Sequence, residues 1–186
     1  MFRLFSKLVF KIAGWRVEGE FPSDIKKYIC IVGPHTSAWD FVMSVLARSL
    51  LGVKSSYLGK SQLFKWPYGI LFRALGGNPV YRDRSNNLVD QVAELFDKKE
   101  EFVIALAPEG TRKKVDKIKT GFYHIAVKAN VPIVMVGMDY HQKFFEIRKP
   151  FYPSGVLEKD MPQIIEYLSK FKGKNEEDGI TLDTTY

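Results

Sequence analysis

Five strand-sized apolar runs alternate along this chain with stretches of helical periodicity, and that alternation leaves few folds open. Residues 28–32, 53–58, 78–81, 102–107 and 131–137 read as strands, while 38–51, 67–75, 86–99 and 121–129 repeat their apolar residues at three- and four-residue spacing. Several of the strand runs are apolar throughout instead of alternating, which is the pattern of strands covered on both faces. The predicted fold class is therefore α/β: a single domain with a largely parallel central sheet flanked by helices, preceded by an N-terminal amphipathic helix. Residues 144–147 are expected to add an edge strand. A last helix is expected to begin near Asp160, with Asp160 as N-cap, Pro162 in the first turn and Gln163 three residues on. A length of 186 residues leaves room for one compact domain, and 46% hydrophobic with 26% charged residues excludes a disordered or collagen-like chain.

Charge is unevenly placed. The chain carries 28 Lys and Arg against 21 Asp and Glu, a net +7, but residues 173–186 hold one lysine and four acids. Residues 1–172 thus keep 27 cations against 17 acids, +10. Such a body attracts an anionic membrane surface, nucleic acid or small phosphate-bearing molecules. No apolar run approaches the roughly 18 residues that span a bilayer. Residues 1–14 form a helix with Phe2, Phe5, Val9 and Ile12 on one stripe and Arg3, Lys7 and Lys11 on another. Docking on the domain's own core would explain the stripe; four cations and no acid through Arg16 favour a membrane-surface helix. The expected organisation is a surface helix at 1–14, the main folded domain at 15–172 and a mobile acidic tail at 173–186. The single cysteine, Cys30, lies in a strand run, so neither an internal disulfide nor a cysteine-based zinc site is open.

Two segments directly after predicted strands carry chemistry, and strand carboxyl ends are where α/β sheets bind ligands. In Gly33-Pro-His-Thr-Ser-Ala-Trp-Asp40, five helical residues would turn about 500° and separate the histidine from the aspartate. With Thr36 or Ser37 as N-cap, His35 stays in the loop and Asp40 in the first turn reaches back to it. The carboxylate would fix the imidazole tautomer and leave Nε2 as a general base. The plainer reading makes Asp40 a first-turn acid matched to the helix dipole and His35 an ordinary loop residue. In Pro108-Glu109-Gly110-Thr111-Arg112, a glycine permits close backbone approach and an arginine offers a two-pronged donor to phosphate. A solvated basic turn would explain the charge of 112–119 but not the Pro-Glu-Gly-Thr lead-in. His35, His124 and His141 show no metal-ligand spacing, and no G-x-S-x-G elbow, Walker loop, G-x-G-x-x-G or nucleic-acid-binding motif is present. No metal and no nucleic-acid partner are expected.

Taken together, His35-Thr-Ser-Ala-Trp-Asp40, Gly59-Lys60 through Gly76-Gly77-Asn-Pro79-Val-Tyr-Arg82, Pro108-Glu109-Gly110-Thr111-Arg112 and Val131-Pro132-Ile133 stand in the order and rough spacing of the four sequence blocks of the glycerolipid acyltransferases. The chain resembles the 1-acylglycerol-3-phosphate acyltransferase family, in particular its short bacterial members, over about residues 15–152. The resemblance implies transfer of a fatty acyl group from acyl-CoA or acyl carrier protein to the hydroxyl of lysophosphatidic acid or a related lyso-lipid. It implies His35 as general base, Asp40 as its partner and no acyl-enzyme. It also implies acceptor binding by Glu109, Gly110, Thr111 and Arg112, with Lys60 and Arg82 as further pocket cations and Pro132 shaping the acyl or acceptor site. No cofactor is implied beyond the thioester co-substrate, and the expected location is peripheral, on the cytoplasmic face of the membrane. A non-catalytic basic module docking on anionic membrane or nucleic acid is the alternative.

Overall fold

The computed structural model describes residues 2–80 and 88–186. Its elements run α1 (Phe2–Ala13), β1 (Arg16–Glu18), β2 (Lys27–Gly33), α2 (Trp39–Leu51), β3 (Ser56–Lys60), α3 (Gly69–Ala74), β4 (Gly77–Val80), α4 (Leu88–Lys98), β5 (Phe102–Leu106), α5 (Gly121–Ala129), β6 (Ile133–Asp139), β7 (Phe144–Ile147) and α6 (Leu157–Leu168). The seven strands form one sheet in the order β1-β7-β6-β2-β5-β3-β4, parallel throughout except between β6 and β7. This is the α/β architecture expected from the alternation.

Period-two alternation sends the strand side chains to two separate layers. On one face Ile29 and Ile31 of β2, Ile104 of β5 and Ile133 and Met135 of β6 pack against Val92 and Phe96 of α4, Phe122 and Ile125 of α5, and Met161, Ile164 and Leu168 of α6. On the other, Tyr28 and Cys30 of β2, Val134, Val136 and Met138 of β6 and Phe145 of β7 meet Met43, Leu46 and Ala47 of α2 and Phe10 of α1. Both faces of β2 are covered, which is why its run has no polar interruption. Helix α2 stops at Gly52, whose φ of +73° turns its amide back to the last carbonyls.

Three expectations need correction. Residues 144–147 are not at the edge, because β1 adds in parallel outside them with Arg16 opposite Phe144. A three-residue strand of one apolar and two charged residues leaves no periodic signal. Helix α6 begins at Leu157 with Val156 at its N-cap, and Asp160 lies buried within it. There the Asp160 carboxylate accepts from Tyr123 Oη at 2.8 Å and from the Ser154 amide at 2.6 Å, partners from two other segments. Residues 173–186, expected as a mobile tail, fold back onto the body. Ile180 enters the core, Thr184 is buried, and the Thr185 amide donates to the Asp116 carbonyl at 2.8 Å. Composition marked the segment as polar and acidic, but its docking rests on a few residues that pair far away in the chain.

Candidate active site

β2 and β5 are parallel neighbours at the middle of the sheet, so the loops that follow them leave side by side. The first loop carries His35 and leads into α2; the second carries Glu109 to Arg112. Asp40 lies in the first turn of α2, 2% exposed, and organises the first loop. Its Oδ2 accepts from the Thr36 amide at 2.7 Å, the Ser37 amide at 2.8 Å and sits 3.0 Å from His35 Nδ1. Its Oδ1 accepts from Tyr140 Oη at 2.9 Å. The expected N-cap at Thr36 or Ser37 is replaced by Ala38, which makes no side-chain cap bond. Asp40 satisfies the loop amides instead, and the same atom holds the imidazole.

Burial alone would push the Asp40 carboxyl up, but the hydrogen bonds from His35, Ser37, Tyr140 and Thr36 outweigh it and hold the group below the usual carboxylate range. Asp40 is thus a charged partner for the ring. With Nδ1 engaged, His35 Nε2 has no hydrogen-bond partner among the described residues, and the side chain is 28% exposed. Tyr140 was not anticipated. It stands just past the carboxyl end of β6, which adjoins β2, so the position that singled out the other two loops would also have pointed to it. Burial and the neighbouring Asp40 charge push its phenol up, which keeps it a neutral donor.

Glu109, which the resemblance implies as an acceptor-binding residue, holds the dyad loop in the free chain. It is 2% exposed, and its Oε1 accepts from the His35 amide at 2.7 Å. Oε2 is buried without a partner among the described residues. Burial pushes this carboxyl up, against the pull of its own amide, the His35 amide and the nearby imidazole. Glu109 therefore braces the dyad loop from behind. Gly110, Thr111 and Arg112 are exposed, and Arg112 makes no hydrogen bond or ion pair among the described residues. Gly110 has a φ of +65°, and a Cβ there would stand 2.7 Å from Lys119 Nζ, so the turn needs glycine.

The remaining candidates divide. Lys60 is the last residue of β3, opposite Val80, at the same end of the sheet as His35. Arg82 lies outside the described residues. Pro132 is not brought to the site: it is buried at the amino end of β6, where its carbonyl accepts from the Ile29 amide at 3.0 Å. Gly137, level with Gly33 at the site end, is five residues farther along a strand that rises about 3.3 Å per residue. Among the described residues no group of three or more His, Cys, Asp or Glu side chains gathers as a metal site.

A family model described as Acyltransferase matches residues 15–139. The chain is 30% identical to human 1-acyl-sn-glycerol-3-phosphate acyltransferase beta over 134 residues, 68% of this chain and 47% of that protein. It is 30% identical to the 1-acyl-sn-glycerol-3-phosphate acyltransferase of Haemophilus influenzae over 145 residues, 72% of this chain and 58% of that one. It therefore spans about half the length of the curated relatives it matches. Among solved structures, the 1-acyl-sn-glycerophosphate (LPA) acyltransferase PlsC of Thermotoga maritima shares the fold with a TM-score of 0.63 at 21% identity, over 91% of this chain and 76% of that one. With its family model running from the start of β1 through the dyad and the Glu109 loop to the end of β6, the chain belongs to the acyltransferase family and is similar to its 1-acyl-sn-glycerol-3-phosphate members.

Proposed function

We propose that the chain transfers a fatty acyl group from a thioester, acyl-CoA or acyl carrier protein, to the hydroxyl of lysophosphatidic acid or a related lyso-lipid. The observation that carries this reading is the His35–Asp40 pair, with Nδ1 held at 3.0 Å and Nε2 without a partner among the described residues, on the loop neighbouring the one that carries the exposed Arg112. Nε2 takes the proton of the acceptor hydroxyl as its oxygen attacks the thioester carbonyl. Asp40 stabilises the imidazolium that forms. When the tetrahedral adduct collapses, the C–S bond breaks and the imidazolium returns its proton to the departing thiolate. No acyl-enzyme is formed, and Arg112 holds the acceptor phosphate.

Thiol release from acyl-CoA with a panel of lyso-lipids tests the reading. His35→Ala is expected to lower kcat by roughly 10² to 10⁴-fold, the worth of a positioned general base, with Asp40→Asn costing less because it acts through the ring. Undiminished turnover by purified His35→Ala would overturn the mechanism. The acceptor is a lipid, and no helix among the described residues is long and apolar enough to cross a membrane. In this reading α1 makes the membrane contact, with Phe2, Phe5, Leu8 and Ile12 exposed on a helix that also carries Arg3, Lys7 and Lys11.

A further inference from the structure

Thr36 is the residue next to His35, it is 2% exposed, and its polar groups are held from two sides. Its amide donates to Asp40 Oδ2. Its hydroxyl and carbonyl are held by Asn175, whose backbone amide donates to Thr36 Oγ1 at 3.2 Å and whose side-chain Nδ2 donates to Thr36 O at 3.0 Å. Gly173 lies buried against the same side chain, where an added Cβ would meet Thr36 Cγ2 and Oγ1 at 2.6 Å. Beyond Asn175 the chain crosses to the second loop. Asp178 Oδ1 accepts from the Lys114 amide at 2.9 Å, the Thr185 carbonyl accepts from the Ile118 amide at 3.0 Å, and Thr185 returns its own amide to Asp116. Between these anchors Ile180 is buried beneath the site: a Cβ on Gly33 would stand 3.5 Å from Glu109 Oε1 and 3.7 Å from Ile180 Cδ1.

We propose that Asn175 is a positioning residue for the His35–Asp40 pair, and that residues 173–186 are a strap clamping the dyad loop to the cationic loop that follows β5. This rests on the acyltransferase reading above, and it concerns a segment lying wholly beyond the region matched by the family model. The two loops leave separate strands, and the spacing between a proton-accepting nitrogen and a phosphate-holding arginine is as loose as the looser of them. A third segment bonded to both removes that freedom. Asn175 acts at one remove: the Thr36 carbonyl it fixes shares a peptide plane with the Ser37 amide, which donates to Asp40 Oδ2 at 2.8 Å, and so it orients the carboxylate toward the ring. Asp178 and Thr185 act on the other loop, and their loss should be felt in acceptor binding.

The full chain carries the test. Asn175→Ala, and Asn175→Asp, which keeps the shape but cannot donate to Thr36 O, should each lower kcat roughly tenfold with acceptor KM little changed, the scale expected when a reacting group is displaced by a fraction of an ångström. Asp178→Ala should instead raise acceptor KM with kcat held. Gly173→Ala, which displaces Thr36 by packing and not by a lost hydrogen bond, should reproduce the Asn175 result. A readout independent of turnover is amide hydrogen exchange: Asn175→Ala should speed exchange at Thr36 and Ser37 about tenfold while the β2 and α5 amides keep their rates. Parental exchange at Thr36 and Ser37, or parental kcat in Asn175→Ala with those amides loosened, overturns the proposal. A general loss of protection across β2 and α5 also overturns it, since the segment would then be supporting the fold. If the parent shows no His35-dependent transfer, the acyltransferase reading falls and the catalytic half of this proposal with it. Exchange would still decide whether the strap holds the loop.

Discussion

Two side chains of the same loop, Glu109 and Arg112, differ in role because one is buried and the other is not. The Glu109 carboxyl is pushed above its ordinary 4.5 chiefly by burial. A folded state that binds a proton more tightly than the unfolded chain is favoured by acid. The contribution is complete below the unfolded value and is lost as pH rises through the folded one. Glu109→Gln keeps an acceptor for the His35 amide and abolishes the titration. Its Tm should therefore gain on the parent as pH is raised above 4.5, with the two curves converging in acid; parallel curves in a differential scanning series would refute the assignment. Asp40 has the opposite sign, since its depressed value stabilises the fold above the ordinary carboxylate range and is lost as pH falls through the folded value. Arg112 is exposed and makes no hydrogen bond or ion pair among the described residues, so Arg112→Ala should leave Tm unchanged; on the proposed reading it should raise acceptor KM with kcat largely kept, because a phosphate held there is bound alike in ground and transition states. Arg112→Lys should recover part of the loss, an ammonium lacking the planar fork. Separate titration of acceptor and donor checks this, and an effect confined to the donor would place Arg112 on the thioester side.

Among the elements, α1 has one face on the core and one left exposed. Ser6 and Phe10 face inward, with Phe10 stacked on Phe145 at 6.1 Å and against Trp15 at 6.4 Å, while Phe2, Leu4, Phe5, Leu8 and Ile12 remain exposed. The amphipathic pattern in the sequence was legible, but it was compatible with core docking and with membrane contact, and the structure places separate residues on each face. The two faces should separate experimentally. Phe10→Ala should cost about 3 to 5 kcal/mol of stability, as for other buried Phe truncations. Phe5→Glu combined with Leu8→Glu should leave stability within about 0.5 kcal/mol, as exposed substitutions do, yet abolish co-sedimentation with anionic vesicles. Equal damage to stability from both sets would return α1 to a purely structural role.

For the whole molecule, the net charge of +7 predicts that association with anionic vesicles weakens steeply as salt is raised, since exposed charges are screened beyond roughly 10 Å at 0.1 M. Turnover of a short-chain, water-soluble acceptor should change far less over the same range. Paired vesicle-binding and activity measurements decide it, and salt-insensitive binding would assign the contact to the apolar stripe alone. Periodicity is a local quantity, and local spacing alone determined the alternation of strands and helices, the doubly covered sheet, and the placing of His35-to-Asp40 and Pro108-to-Arg112 after buried strands. That the two loops stand side by side was decided by the tertiary pairing of β2 with β5, whose residues lie some 75 apart in the chain. What local spacing could not carry is any bond whose partners lie far apart in the chain. The Tyr140 hydroxyl on Asp40, the Tyr123 hydroxyl on Asp160, the β1 pairing outside β7, and the fold-back of 173–186 onto Thr36 all belong to that class. Glu109 marks the boundary between the two: its position in the motif was readable, but only tertiary packing made it a buried brace for the His35 amide, because burial depends on what the other strands and the returning chain place around it.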